Sequence, residues 1–277
     1  MKHFTENEID YLKQVYPLKG CKYCSEKLHR TYSSVYYKIK DMGLVFMGIK
    51  NHEEYPYQFE VILPQSIDEN IIINPSLMIK ETAYFIGFFW SDGYITKNTL
   101  FIEILKKDGK DIEHIFDKIG VFGKQYRNRK NRQEQMTFHV TNKKIVTFFN
   151  EMGKYPFSVE SHEKIIKHIP ENLQVYFIRG LIDGDGCFFY SKRKTSGHQF
   201  AIGSRYNQDW TALVSFMNNI GVTCTIKIDI NKNKSSVLRN TNTTEINKLI
   251  DYLYDVNDLI YLNRKYEKAK LIYNCKK

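Results

Sequence analysis

From residue 75 the chain repeats itself, and a duplicated unit restricts the fold more than any single motif does. Each copy opens on an apolar run that ends in an acidic residue and a glycine. The first is Ala83-Tyr-Phe-Ile-Gly-Phe-Phe-Trp-Ser-Asp-Gly93, and the second is Val175-Tyr-Phe-Ile-Arg-Gly-Leu-Ile-Asp-Gly-Asp-Gly186, which sets Asp185 93 positions after Asp92. A strand-like stretch follows, then a helix closing on Ile119-Gly-Val in one copy and Ile220-Gly-Val in the other, with a longer first hairpin in copy two. A second pair of strands comes next, where Met136, Phe138 and Val140 alternate with Thr137, His139 and Thr141, the pattern of a half-buried sheet. Amphipathic helices around Ile145 to Met152 and Ile246 to Leu253 close the copies. The spacing predicts an α+β chain whose core is a pseudo-twofold duplication of α-β-β-α-β-β-α, with repeat 1 over 75–165 and repeat 2 over 166–277.

The preceding residues read differently. Thr5 caps a helix carrying Ile9, Leu12 and Val15 at helical spacing, and Pro17 and Gly20 end it. A short helix from Cys21 to Leu28 leads to Thr31, which caps a third with Val35, Ile39 and Met42 inward until Gly43. Residues 1–45 thus form a small three-helix domain, a DNA-binding or a protein-contact module. Residues 46–74, with Pro56 and Pro64 among mixed short runs, read as a connector. Through Phe4-Thr5 with Glu8, Leu28-His29-Arg30-Thr31 and Val35-Tyr36-Tyr37-Lys38-Ile39-Lys40, the first 45 residues resemble the Myb-like or homeodomain-like helix-turn-helix family. That resemblance implies a third helix presenting Ser33, Tyr36, Tyr37 and Lys40 to a major groove.

A helix that ends on a carboxylate is electrostatically odd, because its C-terminal end is already negative and something positive must compensate. If the two apolar helices approach through Gly87 and Gly180, Asp92 and Asp185 meet at one end of the interface. Two carboxylates with neighbouring backbone carbonyls offer oxygen ligands for Mg²⁺, which could activate water and stabilise the leaving oxygen of a phosphodiester. An isolated Asp-Gly is also a common turn; it is the matched pair that points to chemistry.

Charge points to a polyanionic partner: 41 Lys and Arg against 31 Asp and Glu leave a formal net charge of +10. The basic residues gather in the expected hairpins. The first set is Lys124, Arg127, Arg129, Lys130, Arg132, Lys143 and Lys144, against only Glu134. The second is Lys192, Arg193, Lys194, Arg205, Lys227, Lys232, Lys234 and Arg239. Strands in a major groove can read bases through alternate side chains while loop cations hold phosphates. No apolar run approaches the roughly 18 residues that span a bilayer, and the polar start carries no signal peptide, so a cytoplasmic, nucleoid-associated location is expected, or a host cytoplasm for a mobile-element or phage protein. Five cysteines, with Cys21 and Cys24 the only close pair, read as free thiols.

Phe85-Ile-Gly-Phe-Phe-Trp-Ser-Asp-Gly93 and Ile178-Arg-Gly-Leu-Ile-Asp-Gly-Asp-Gly186 resemble the signature of the LAGLIDADG homing endonucleases in their two-motif, single-chain form, with Trp90 at a position often acidic. The resemblance covers residues 75 to 277. It implies a saddle of two antiparallel sheets on double-stranded DNA, a monomer, and Asp92 and Asp185 as catalytic metal ligands. It also implies a lysine near the site at the end of each repeat. Lys265 in Tyr261-Leu-Asn-Arg-Lys-Tyr-Glu-Lys-Ala269 matches that element, to stabilise charge on the phosphate or as part of a solvated helix face. In copy one Glu160 is expected where lysine is usual, with Lys164 or Lys154 as substitutes. The alternatives are a DNA-binding regulator that does not cut, and a maturase that binds intron RNA.

Overall fold

The computed structural model describes residues 4–44, 59–60, 67–120, 122–127, 133–153, 161–192, 197–231, 234–255 and 258–276. The chain divides into two compact units, one of Met1–Phe59 with Tyr126–Arg132, the other of Glu60–Gln125 with Gln133–Lys277.

In the first unit α1 runs Glu6–Lys27 and α2 runs Tyr32–Asp41. Thr5 caps α1 in a reciprocal box with Glu8, which satisfies two otherwise orphaned amide donors. Pro17 lies inside α1 and does not end it. The helix breaks at Gly20, whose φ of 79° is left-handed, so two helical pieces meet at that kink. Thr31 caps α2. Leu12, Cys24, Val35 and Ile39 form the buried cluster between these helices. Burial pushes the Cys24 thiol up to about 11, so it stays protonated and packs as a small apolar group. Arg30 lies over the Phe4 ring, 4.0 Å from its centroid, and donates to Glu8 at 2.7 Å, which ties the turn before α2 to the start of α1.

The second unit holds the repeat, except that Phe59 of the strand before it and the last two residues of its third strand, Tyr126 and Arg127, are counted with the first unit. After the two-residue strand β1 (Phe59–Glu60) come α3 (Asn70–Ile73), α4 (Lys80–Asp92), β2 (Gly93–Thr96), β3 (Thr99–Leu105), α5 (Lys106–Ile119), β4 (Gly123–Arg127), β5 (Gln135–Thr141), α6 (Lys143–Glu151) and α7 (Glu163–His168). The second copy is α8 (Gln174–Asp185), β6 (Gly186–Phe189), β7 (Gln199–Arg205), α9 (Thr211–Asn219), β8 (Thr225–Asp229), β9 (Ser235–Asn240), α10 (Thr243–Tyr254) and α11 (Asn263–Tyr273). The α-β-β-α-β-β-α order is present twice, each copy followed by one further helix. The boundary expected at 165/166 falls inside α7, and the stretch read as a connector includes buried Ile67 and Ile72, the latter on α3.

The sheets are antiparallel, ordered β1-β4-β5-β3-β2 and β6-β7-β9-β8. In the first, Leu100, Ile102, Ile104, Met136, Phe138 and Val140 face the helices. Rings fill the core beneath it, with Phe89 and Phe149 centroids 4.5 Å apart and Phe116 and Phe138 4.8 Å apart. In the second, Phe188, Phe200, Ile202 and Leu238 face inward over Leu213, Met217, Leu249 and Leu253. On the opposite faces Tyr94, Thr96 and Thr141 of the first sheet and Cys187, Thr225 and Lys227 of the second are exposed, whereas His139 is buried. No helix among those residues is long and apolar enough to cross a membrane.

Candidate metal centre and nucleic-acid interface

The centre of the second unit is the crossing of α4 and α8, the most extensive contact between any two described elements. A Cβ added at Gly87 would fall on the carbonyl oxygen of Phe177, and one at Gly180 on that of Tyr84. Gly180 follows Gly87, and Phe177 follows Tyr84, by the same 93 positions that separate the aspartates. The two contacts are therefore mates under the pseudo-twofold. A third close approach, between Gly184 and Ser91, brings the two C-terminal ends together: a Cβ at Gly184 would stand 3.4 Å from the Asp92 carboxyl carbon. Asp92 and Asp185 are both exposed there, at the last residue of each helix.

The compensating positive charge is Lys265. It is 6% exposed, and its ammonium donates to the carbonyls of Ile182 at 3.4 Å, Gly184 at 3.5 Å and, closest, Gly186. These are carbonyls at the open end of α8. Burial, then the neighbouring Arg264, lowers the Lys265 pKa, while Asp183, Cys187 and Asp92 oppose that shift. The lysine expected from the motif thus does reach the aspartate end of the interface.

Buried groups that the sequence did not single out hold this lysine in place. Asp183 accepts from the Tyr84 hydroxyl at 2.9 Å and from the backbone amide of Leu262 at 2.8 Å, three residues before Lys265. Burial raises its carboxyl pKa to about 7, against the pull of those two donors and of Lys265 and Arg179. Arg179, with no exposed surface, pairs with Asp258 at 2.7 Å and donates to the carbonyls of Ile260 and Leu253. Both terminal nitrogens of this buried guanidinium are bonded, while its Nε has no partner among the described residues, and the bonded pair locks α8 to the segment that leads into α11. Its spacing in the sequence is that of an ordinary helix residue, so only the distant partner reveals its role.

The first copy lacks this arrangement. Trp90 occupies the position equivalent to Asp183 and lies 6.0 Å, centroid to centroid, from His162, the residue that precedes α7 as Leu262 precedes α11. Counted from those two residues, Ile165, fully buried, stands where Lys265 does. Glu160 and Lys154 lie outside the described residues, and Lys164 precedes Ile165 on α7.

The open faces carry the expected contact residues unevenly. On the second sheet Arg205, Lys227 and Arg239 lie on the open side with Cys187, Ala201 and Thr225. Lys192 is exposed just beyond β6. Arg127 ends β4, and Arg129, Lys130, Arg132, Arg193, Lys194 and Lys232 lie outside the described residues. Lys124 is a correction: its ammonium is buried against Glu113 at 2.6 Å and Asp117 at 3.1 Å, so it braces β4 on α5 and does not face a phosphate. Lys144 is exposed but paired with Glu69 at 2.7 Å. In the first unit Ser33, Tyr36, Tyr37 and Lys40 are all exposed on α2.

Among the described residues no group of three or more His, Cys, Asp or Glu gathers. A metal at the helix ends would therefore rest on Asp92, Asp185 and backbone carbonyls. That donor set fits Mg²⁺, which is often held by one or two carboxylates and otherwise by water and phosphate oxygens. The end of α8 already accepts one cation, the Lys265 ammonium, on its carbonyls.

The glycine-mediated crossing of α4 and α8, with Asp92 and Asp185 as the last residues of the two helices, is the axis of a duplicated α-β-β-α-β-β-α core. Residues 178–273 match the family model of the LAGLIDADG endonucleases, and residues 81–168 match that of the WhiA LAGLIDADG-like domain. Similar solved structures include the homing endonuclease I-WcaI bound to its DNA recognition sequence, at 18% identity over 69% of this chain and 85% of that one, with a TM-score of 0.49. Mesophilic variants of the homing endonuclease I-DmoI give 17% over 69% and 97%, with a TM-score of 0.47. I-SmaMI bound to an uncleaved DNA target in the presence of calcium ions gives 14% over 72% and 93%, with a TM-score of 0.43. No curated protein matches the chain.

Proposed function

We propose that this protein is a site-specific DNA endonuclease that hydrolyses both strands of a long duplex target with divalent metal. The observation that carries the reading is the close approach of the two helix ends that bear Asp92 and Asp185, Gly184 lying against Ser91 and Asp92, with Lys265 bonded to carbonyls at the end of α8. Asp92 and Asp185 would hold Mg²⁺, which supplies Lewis-acid stabilisation and an activated water when bound. The chain's own part is positional. The glycine crossing fixes the spacing of the carboxylates, and Lys265 offsets the negative helix end and offers positive charge beside the scissile phosphate. Open sheet faces and basic loops hold the duplex. The helical unit of residues 1–45, with Tyr36 and Lys40 outward, adds contact to a flanking sequence.

The test is metal-dependent cleavage of DNA spanning the gene's own insertion locus, comparing native protein with Asp92→Asn and Asp185→Asn while binding is measured separately. Either substitution should abolish cutting, a loss of a thousandfold or more, and leave affinity within a few-fold. Tight binding without Mg²⁺-dependent cutting by the native protein would overturn the reading. It would favour instead a DNA-binding regulator, for which the match of residues 81–168 to the WhiA LAGLIDADG-like domain and the Trp90 departure both speak. Preferential binding of intron RNA would favour a maturase.

A further inference from the structure

The strand rows that follow the two aspartates occupy equivalent places and carry opposite chemistry. In the first sheet Tyr94 pairs with Phe101, and Phe101 with His139. Their rings form a ladder, with centroids 5.1 Å and then 5.9 Å apart and planes within 11° and 24°. In the second sheet the same row is Cys187, Ala201 and Arg239. The next row of the first sheet toward its hairpin is Thr96, Thr99 and Thr141, the last two joined by a hydroxyl contact of 2.8 Å. Strands β2, β3 and β5 contain no lysine or arginine, and Glu103 is the one carboxylate on their open face. His139 is buried, so its pKa falls to about 4 and its neutral ring backs that of Phe101 rather than meeting a ligand.

The rings of Tyr94 and Phe101 carry no charge for a phosphate and pack well against an apolar group; beside them the hydrogen-bonding groups are the threonine and tyrosine hydroxyls. The apolar group that DNA presents in the major groove is the 5-methyl of thymine, whereas an arginine in the equivalent row suits the paired O6 and N7 acceptors of guanine. Resting on the DNA-binding reading above, we propose that the two sheets read different base chemistry: Tyr94 and Phe101 recognise thymine methyl groups in one half of the target, and Arg239 recognises guanine in the other.

The experiment starts from selection of a randomised duplex library by the full-length protein in Ca²⁺. The enriched duplex is then resynthesised with deoxyuridine for thymidine, or 7-deazaguanine for guanine, one half at a time. Deoxyuridine in one half should weaken binding by about fourfold per contacted methyl. Deazaguanine should weaken it by about fivefold or more, and in the opposite half. The methyl dependence should weaken in Tyr94→Ala, where the native residue is 45% exposed, and vanish when Phe101→Ala is added; the guanine dependence should vanish in Arg239→Ala. Equal affinity for thymidine and deoxyuridine duplexes, or a methyl dependence that survives the double substitution Tyr94→Ala and Phe101→Ala, overturns the division of labour while leaving DNA binding intact. A library that enriches no sequence overturns the DNA-binding reading itself, and this inference with it.

Discussion

Single residues decide whether the two halves can meet at all. Gly87→Ala or Gly180→Ala would push a methyl into a backbone carbonyl that cannot rotate away. Each should cost about 3 kcal/mol or more by urea denaturation, the upper range for overpacking because helix backbones have to separate. Titration is decided just as locally. His139 falls from an ordinary 6.5 to about 4 in the folded chain. Between those values the unfolded state binds the proton and the native state does not. Stability is therefore retained above pH 6.5 and lost as pH falls toward 4, by about 3 kcal/mol in all. Asp183, raised to about 7, works the other way: it favours the folded state at low pH and loses that contribution as pH rises from about 4 to 7. The two opposed slopes separate in a comparison of native protein with His139→Phe, where denaturation midpoints across pH 4 to 7 should differ by the histidine contribution alone. A parallel pair of curves would refute the assignment.

At the scale of elements, the motif helices and the alternating strands were legible in the sequence because each buries a face set by its own period. Ala83 to Trp90 is apolar throughout because α4 is surrounded, and Met136, Phe138 and Val140 alternate because β5 has one open side. What was not legible depends on partners far along the chain. Arg179 meets Asp258 79 positions later, Lys124 turns inward onto α5, and the lysine register of copy one is fixed by where α7 starts rather than by local resemblance. Aligned on those starts, Lys265 faces an apolar counterpart, Ile165. The two strands should therefore be cut at different rates. Lys265→Met should slow one strand by tenfold or more and leave the other within about threefold, a split read as nicked circle accumulating before linear product on a supercoiled target. Equal slowing of both strands would mean the lysine serves packing rather than one reaction centre.

For the whole molecule, the helical unit is built to fold on its own small cluster of Leu12, Cys24, Val35 and Ile39. Removing residues 1–45 should leave the core folded and shorten the protected footprint on DNA at one end; an unchanged footprint would deny that unit a part in target choice. The core has a different kind of modularity. Its two halves touch where backbone meets backbone, at Gly87 against Phe177 and Gly180 against Tyr84, and through a few side-chain pairs, Tyr84 donating to Asp183 and Arg264 to Asp108. A half that keeps those few contacts is free to exchange its outer strand faces, its loops and its base preferences without renegotiating terms with the other. Lineages carrying such a crossing can acquire new targets one half at a time, by recombination as readily as by point substitution.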